Sequence, residues 1–146
     1  MISAKPIDPA GLLAAFTSDA KDAGAIASFT GLVRSDDGAV SLLWLDHHPV
    51  LTDQVIAEIV AEAESRFEAT VHITHRVGSV AAGAPIVFVA AAARHRRAAF
   101  DAVDYMMDRL KTDAPFWYRE ARGDTDVWIE AREADHRDRA RWEESP

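Results

Sequence analysis

The 146-residue chain contains no cysteine. That excludes disulfides, thiolate catalysis and cysteine-ligated zinc, while leaving the redox compartment open. Lysine is nearly as scarce: thirteen arginines stand beside three lysines, Lys5, Lys21 and Lys111. Basic residues are outnumbered overall, 16 against 24 Asp and Glu, for a net charge of −8. A chain this acidic lacks the basic footprint of non-specific nucleic-acid binding, so no nucleic-acid partner is expected. No apolar run approaches the roughly 20 residues that cross a bilayer. The longest, Ala84–Ala93, reads as a buried strand. The first residues lack a basic region followed by an apolar core and a cleavage site, so a cytoplasmic protein with no membrane partner is expected. Repeats and low-complexity tracts are also missing. The length suits one domain over residues 1–146 with its own core, ending in a charged tail over 133–146.

What the chain does have is concentrated between Arg94 and Glu120. Arg94, His95, Arg96 and Arg97 open this stretch, and Ala99, Phe100, Val103, Met106, Met107 and Leu110 follow at the spacings of one apolar helical stripe. A basic helix start offers free N–H groups and a favourable dipole end to an anion, although charge runs are usually just solvated. Lys111 comes near the helix end, Pro115 breaks the helix, and Phe116-Trp117-Tyr118-Arg119 continues as an extended aromatic segment. Arginine suits fixed recognition of anions, whereas a lysine can give up its proton. Lys111 is alone in the last 125 residues, which singles it out only weakly, because an Arg-rich composition also leaves a lone lysine by chance.

The remaining pattern predicts an α+β domain, a mainly antiparallel sheet with packed helices. A first strand is expected over Ile2–Ile7, then a helix capped by Asp8 with Pro9 at its first position. Ala25–Arg34 alternates as a strand running into the turn Ser35–Gly38, and Val40–His47 is expected to pair back on it as a hairpin. Thr52 is expected to start a helix with an Ile56, Ile59, Val60, Ala63 and Phe67 stripe. Thr70–Val77 alternates as a strand, where His72 and His75 point to opposite faces; no metal site and no cofactor are expected. Gly78–Pro85 reads as a connection and Ile86–Ala92, apolar on both faces, as a central strand. Phe116–Ala121 and Val127–Ala131 flank a hairpin turn. Glu133–Glu144 reads as a charged helix or tail anchored by Trp142, with order that depends on a partner.

Four stretches, in this order and spacing, resemble one family. They are Phe29-Thr30-Gly31-Leu32-Val33-Arg34, His95-Arg96, Met107 through Thr112 with Ala114-Pro115-Phe116-Trp117, and Trp128-Ile129-Glu130-Ala131-Arg132. The likeness, over roughly residues 24–142, is to the large, catalytic subunit of molybdopterin synthase. It implies a hammerhead-type α+β fold and a homodimer that becomes a heterotetramer with a small ubiquitin-like sulfur carrier. The carrier would end in a Gly-Gly thiocarboxylate, and the reaction would convert cyclic pyranopterin monophosphate into the molybdopterin dithiolene. The resemblance places substrate contacts on Arg34, His95, Arg96 and Arg132, the catalytic lysine on Lys111, and apolar pocket positions on Phe29 and Met107.

One departure stands out. The family's Phe-Trp-Lys-Arg-Glu segment is here Phe116-Trp117-Tyr118-Arg119-Glu120, and a neutral phenol cannot replace an ammonium as an anion clamp. Tyr118 and its neighbour Arg119 are therefore counted as substrate-binding candidates, with Arg119 facing the other way if the segment is a strand. Leu32 likewise stands where a basic residue is common. The alternative reading is a non-catalytic carrier-binding or regulatory homologue. Spacing adds a further expectation. Arg96 and Lys111 lie roughly 22 Å apart along one helix, too far for one small substrate, so each site should combine the helix start of one protomer with the helix end of another.

Overall fold

The computed structural model describes residues 1–143. The last three residues of the charged tail expected over 133–146 lie outside the described residues. In chain order the elements are β1 (Ile2–Ser3), α1 (Pro9–Asp19), β2 (Ala25–Leu32), β3 (Val40–His47), α2 (Leu51–Phe67), β4 (Thr70–Arg76), β5 (Gly78–Ala81), β6 (Pro85–Ala93), α3 (Arg96–Thr112), β7 (Phe116–Arg122), β8 (Thr125–Ile129) and α4 (Glu133–Ala140). They form two four-stranded sheets, β1-β4-β6-β2 and β5-β3-β7-β8. Every pairing is antiparallel except β1 with β4. The α+β class with a mainly antiparallel sheet is therefore as expected.

β6 is central because both its faces are apolar, with Val87, Phe88, Val89, Ala90 and Ala91 all buried. Val87, Val89 and Ala91 meet Ile56, Ile59 and Ala63 of α2 and Ala102, Met106 and Leu110 of α3 in the larger core. The opposite face lies under α1, where His72 sits between Phe16 and Phe88. A smaller core of Val33, Leu43, Leu45 and Val80 joins the two sheets, with Tyr118 and Ile129 packed against it.

Five expectations need correction. The first strand spans only Ile2–Ser3, because Lys5-Pro6 leaves the sheet before α1 begins. β3 does not pair back on β2. Asp36, Asp37 and Gly38 all adopt positive φ (48°, 56° and 87°) and aim the chain into the second sheet. The end of β2 is taken instead by the loop before β6, where Val33 donates to the Ala84 carbonyl and Gly83 donates to that of Val33. Gly78–Ala81 is a strand and not part of a connection; it is short, but it pairs with Leu42–Leu45 and buries Val80 completely. On α3, Phe100 is 58% exposed, whereas Tyr105 and Arg109 are buried. The apolar spacing located the helix but drew its inner face about one residue position too wide. α2 begins at Leu51, and its start is capped by His48, whose Nδ1 accepts from the N–H of Leu51 at 3.0 Å.

The displaced Thr52 has another task. Its hydroxyl accepts from the His48 N–H at 3.1 Å and donates to the Pro115 carbonyl at 3.1 Å. Thr52 is completely buried, so this bond fixes the corner where α3 gives way to β7. That corner sets the direction of Lys111, four residues before Pro115.

α4 packs on α3 through its own chain. Trp142 stands edge-on to Phe67 and Tyr105, at 5.7 and 5.5 Å, and donates its indole N–H to Asp108 at 2.6 Å. Arg141 joins Asp104 and Asp108. The expected aromatic anchor is thus in place, and it is met within the chain itself.

Candidate active site

The end of β2, the C-terminal half of α3, the inner faces of β7 and β8, and the first turn of α4 enclose a cavity of about 530 Å³. Six of the residues singled out in the sequence line it together: Phe29, Arg34, Met107, Lys111, Tyr118 and Arg132. Each is brought there by a local rule. Phe29 and Gly31 lie two apart on β2 and share a face. A side chain at Gly31 would stand 2.7 Å from Val87 Cγ1, so the close approach of β2 to β6 at the cavity floor requires glycine. Met107 and Lys111 are one helical turn apart, which lets the thioether flank the lysine stem. Tyr118 lies opposite Leu45 and Ile129 in the β3-β7-β8 register, pointing inward. Arg132 is the residue that precedes α4.

Three expected residues are elsewhere. His95 and Arg96 are exposed at the start of α3 and do not line this cavity. Arg119 is on the opposite face of β7, where its guanidinium lies over the rings of Trp44 at 5.4 Å and Trp128 at 5.8 Å and pairs with Asp126 at 3.7 Å. Nor can Arg122 readily substitute for a missing cation, because Glu120 and Asp36 hold it at 2.7 and 2.5 Å.

The cavity also contains groups the sequence did not single out for it. His75 is buried at its wall, stacked on Phe116 with ring centroids 4.0 Å apart. Its Nδ1 is 2.8 Å from the Arg76 carbonyl, which fixes Nδ1 as the protonated nitrogen. Burial pushes its pKa down to about 4, so the ring is neutral near pH 7. Burial likewise pushes the Tyr118 phenol up, and the Asp135 charge adds to that, so Tyr118 is a neutral hydrogen-bonding group. Asp135, Glu120 and Glu130 bring the carboxylates. The strand alternation in Thr70–Val77 gave the two faces of β4, but it carries no sign that the His75 face ends at a cavity built by β7 and α3.

In sum, an apolar floor carries a flexible amine beside two arginines and a neutral phenol. Such a cavity can bind a flat molecule with an anionic arm and move a proton at Lys111. The arrangement also matches a known family. The MoaE protein family model matches residues 2–113. The chain belongs to the MoaE family. A curated MoaE-family relative, the molybdopterin synthase catalytic subunit of Caulobacter vibrioides, is 46% identical over 141 residues, covering 96% of this chain and 94% of that protein. Among solved structures, the molybdopterin biosynthesis MoaE protein from Burkholderia ambifaria superposes with a TM-score of 0.83 at 37% identity, over 99% of this chain and 97% of that one. Molybdopterin synthase from Staphylococcus aureus gives 0.79 at 27% identity, over 88% and 94%. No helix among the described residues is long and apolar enough to cross a membrane.

Proposed function

We propose that this single-domain MoaE-family chain is the catalytic subunit of a cytoplasmic molybdopterin synthase. It would transfer sulfur from the C-terminal thiocarboxylate of a small ubiquitin-like carrier onto cyclic pyranopterin monophosphate. The observation that carries this reading is the convergence of Phe29, Arg34, Met107, Lys111, Tyr118 and Arg132 on one cavity from four separate stretches of sequence. The aromatic and thioether floor suits a planar pterin, and the arginines suit its phosphate. Lys111 is the group that moves protons as the carrier's sulfur bonds to the pterin and water cleaves the carrier's acyl–sulfur bond, releasing the carrier as a carboxylate. The protein needs no thiol of its own, because the sulfur arrives on the carrier.

His95 and Arg96 complete the site from a second copy. They stand at the far end of the same helix from Lys111, so a two-fold axis would bring the α3 start of one protomer to the cavity of the other. The working assembly is then a homodimer with a carrier at each end. Incubation with thiocarboxylated carrier and pyranopterin monophosphate, followed by assay of the dithiolene, tests the activity. Product formation is expected. A chain that binds the carrier but makes no product would support the second reading, a carrier-binding homologue, which the neutral Tyr118 in place of a lysine favours.

A further inference from the structure

The first turn of α4 carries Asp135, a lining residue of the cavity whose side chain is only 12% exposed. Its carboxylate accepts from the Arg132 N–H at 2.8 Å and lies 3.6 Å from the Arg132 Nε. Asp135 therefore grips the residue preceding α4 at both main chain and side chain. Arg132 is otherwise 69% exposed and would be a long, free arm at the cavity rim. Burial disfavours the Asp135 charge. The Arg132 N–H, the Arg132 guanidinium and the Lys111 ammonium outweigh it and hold the carboxyl below its usual range. The same charge also reaches Tyr118. One carboxylate is thus electrostatically coupled to three of the six residues gathered in the cavity.

We propose that Asp135 is a positioning residue for the cations of this site, fixing Arg132 by direct contact and restraining the Lys111 ammonium by attraction within the cavity. This rests on the functional reading above in assigning work to Lys111 and Arg132. A helix cap alone would not require an acid here. Asp135 is the third residue of the helix start, reaching back to the Arg132 N–H, and a neutral amide there accepts the same bond without restraining an ammonium. The charge is what matters to the cavity.

The test separates cap from charge. Asp135→Asn keeps an oxygen for the Arg132 N–H and removes the charge, so α4 stays folded and the melting temperature falls by no more than about 4 °C, the scale of one partly exposed charge. With three lysines in the chain, acylation by a limiting amine reagent can be read at each by mass spectrometry, with Lys5 and Lys21 as internal standards. Lys111 should label about threefold faster or more in Asp135→Asn, because without the attraction of the carboxylate the amine spends more time away from the cavity wall, where the reagent meets it. In turnover with carrier and pterin, kcat should fall about tenfold through lost alignment, while KM for the anionic substrate does not rise, since a repelling charge has gone. A merely structural role gives another pattern: a larger fall in melting temperature, a raised KM and unaltered Lys111 labelling. That pattern, or unchanged labelling and unchanged kcat at full stability, overturns the proposal. The labelling arm needs no activity. A wild-type chain that makes no dithiolene would defeat the functional reading, and labelling would still decide the role of Asp135.

Discussion

Arg109 and Lys111 are two residues apart on α3, yet they belong to two different regions. Arg109 turns towards α2 and is 8% exposed, with Glu62, Tyr105 and Asp113 all accepting from it. Lys111 turns towards the cavity and is exposed. Around Arg109, burial works against its charge, but the three partners outweigh it and raise the guanidinium pKa still further. Arg139 of α4 then closes on Asp113 at 3.1 Å, and Trp142 completes the same region. One side of α3 is a satisfied polar lock that fastens α2, α3 and α4 together. The other side leaves its cation accessible to react. A buried charge shared among three acceptors gives rigidity and no chemistry, whereas a reactive amine must keep its donors uncommitted. The lock still serves the site, because it holds the α4 turn that brings Arg132 and Asp135 to the cavity.

Mutations that exchange the consequences of the two regions would break this comparison. The largest effect is expected at Lys111. Lys111→Ala should lower dithiolene formation by about a thousandfold, within the range for a lost proton-transfer group, with folding and carrier binding intact. Lys111→Arg should also fail if a neutral amine is required. Steady-state turnover and calorimetry check both. Arg109→Ala should do the reverse and cost about 2 kcal/mol in urea unfolding, since it removes a buried cation from two partly exposed carboxylates, with turnover per folded molecule nearly kept. Equal losses of activity in the two variants would erase the distinction.

Acid should weaken the fold before it reaches the lock. The buried His75 has a folded pKa of about 4 against an ordinary 6.5, so below pH 6.5 the unfolded chain binds a proton that the folded chain does not. The stability this contributes is complete above pH 6.5 and is lost as pH falls towards 4. Between pH 7 and pH 5 the loss should be about 2 kcal/mol, measurable by urea titration, and His75→Phe should remove it while keeping the stack on Phe116. The lock titrates lower. Glu62 is held down by the Tyr105 hydroxyl and Arg109; Asp113, despite its burial, is held down by Arg139 and Arg109. Their contribution is complete above their ordinary values of 4.5 and 3.8 and is lost as pH falls through the folded ones. The smallest effect is at Tyr118. Tyr118→Lys should raise turnover or tighten substrate binding by about threefold, the scale of one partly exposed charge. Unchanged kinetics would mean that the site is built around the phenol.

Reading by period and punctuation found β6, α1, α2, α3 and the β7–β8 hairpin, because each is bounded by proline, glycine or a clear change of apolar spacing. It failed where the deciding contact was distant. The partner of β3 was set by three left-handed residues at 36–38 and by a loop already bonded to Val33. Alternation along β3 cannot reveal either. In the site, Lys111 was marked weakly by scarcity and placed, like the other pocket residues, by motif order. His75 and Asp135 were not, since each joins the cavity only through the placing of β7 and α4. Arg109 looked like an ordinary basic residue near a helix end, and its burial depends on Glu62, 47 residues away.

The central claim is that the cavity near Lys111 becomes a working site only with the α3 start of a second copy. Arg96→Ala and Lys111→Ala, each inactive alone, should be mixed under conditions that allow subunit exchange, and dithiolene formation measured. Shared sites give every mixed dimer one intact and one doubly damaged site, so activity should recover to roughly a quarter of wild type after random exchange. Sites confined to one protomer would leave the mixture as inactive as its parents, and that result would contradict the account.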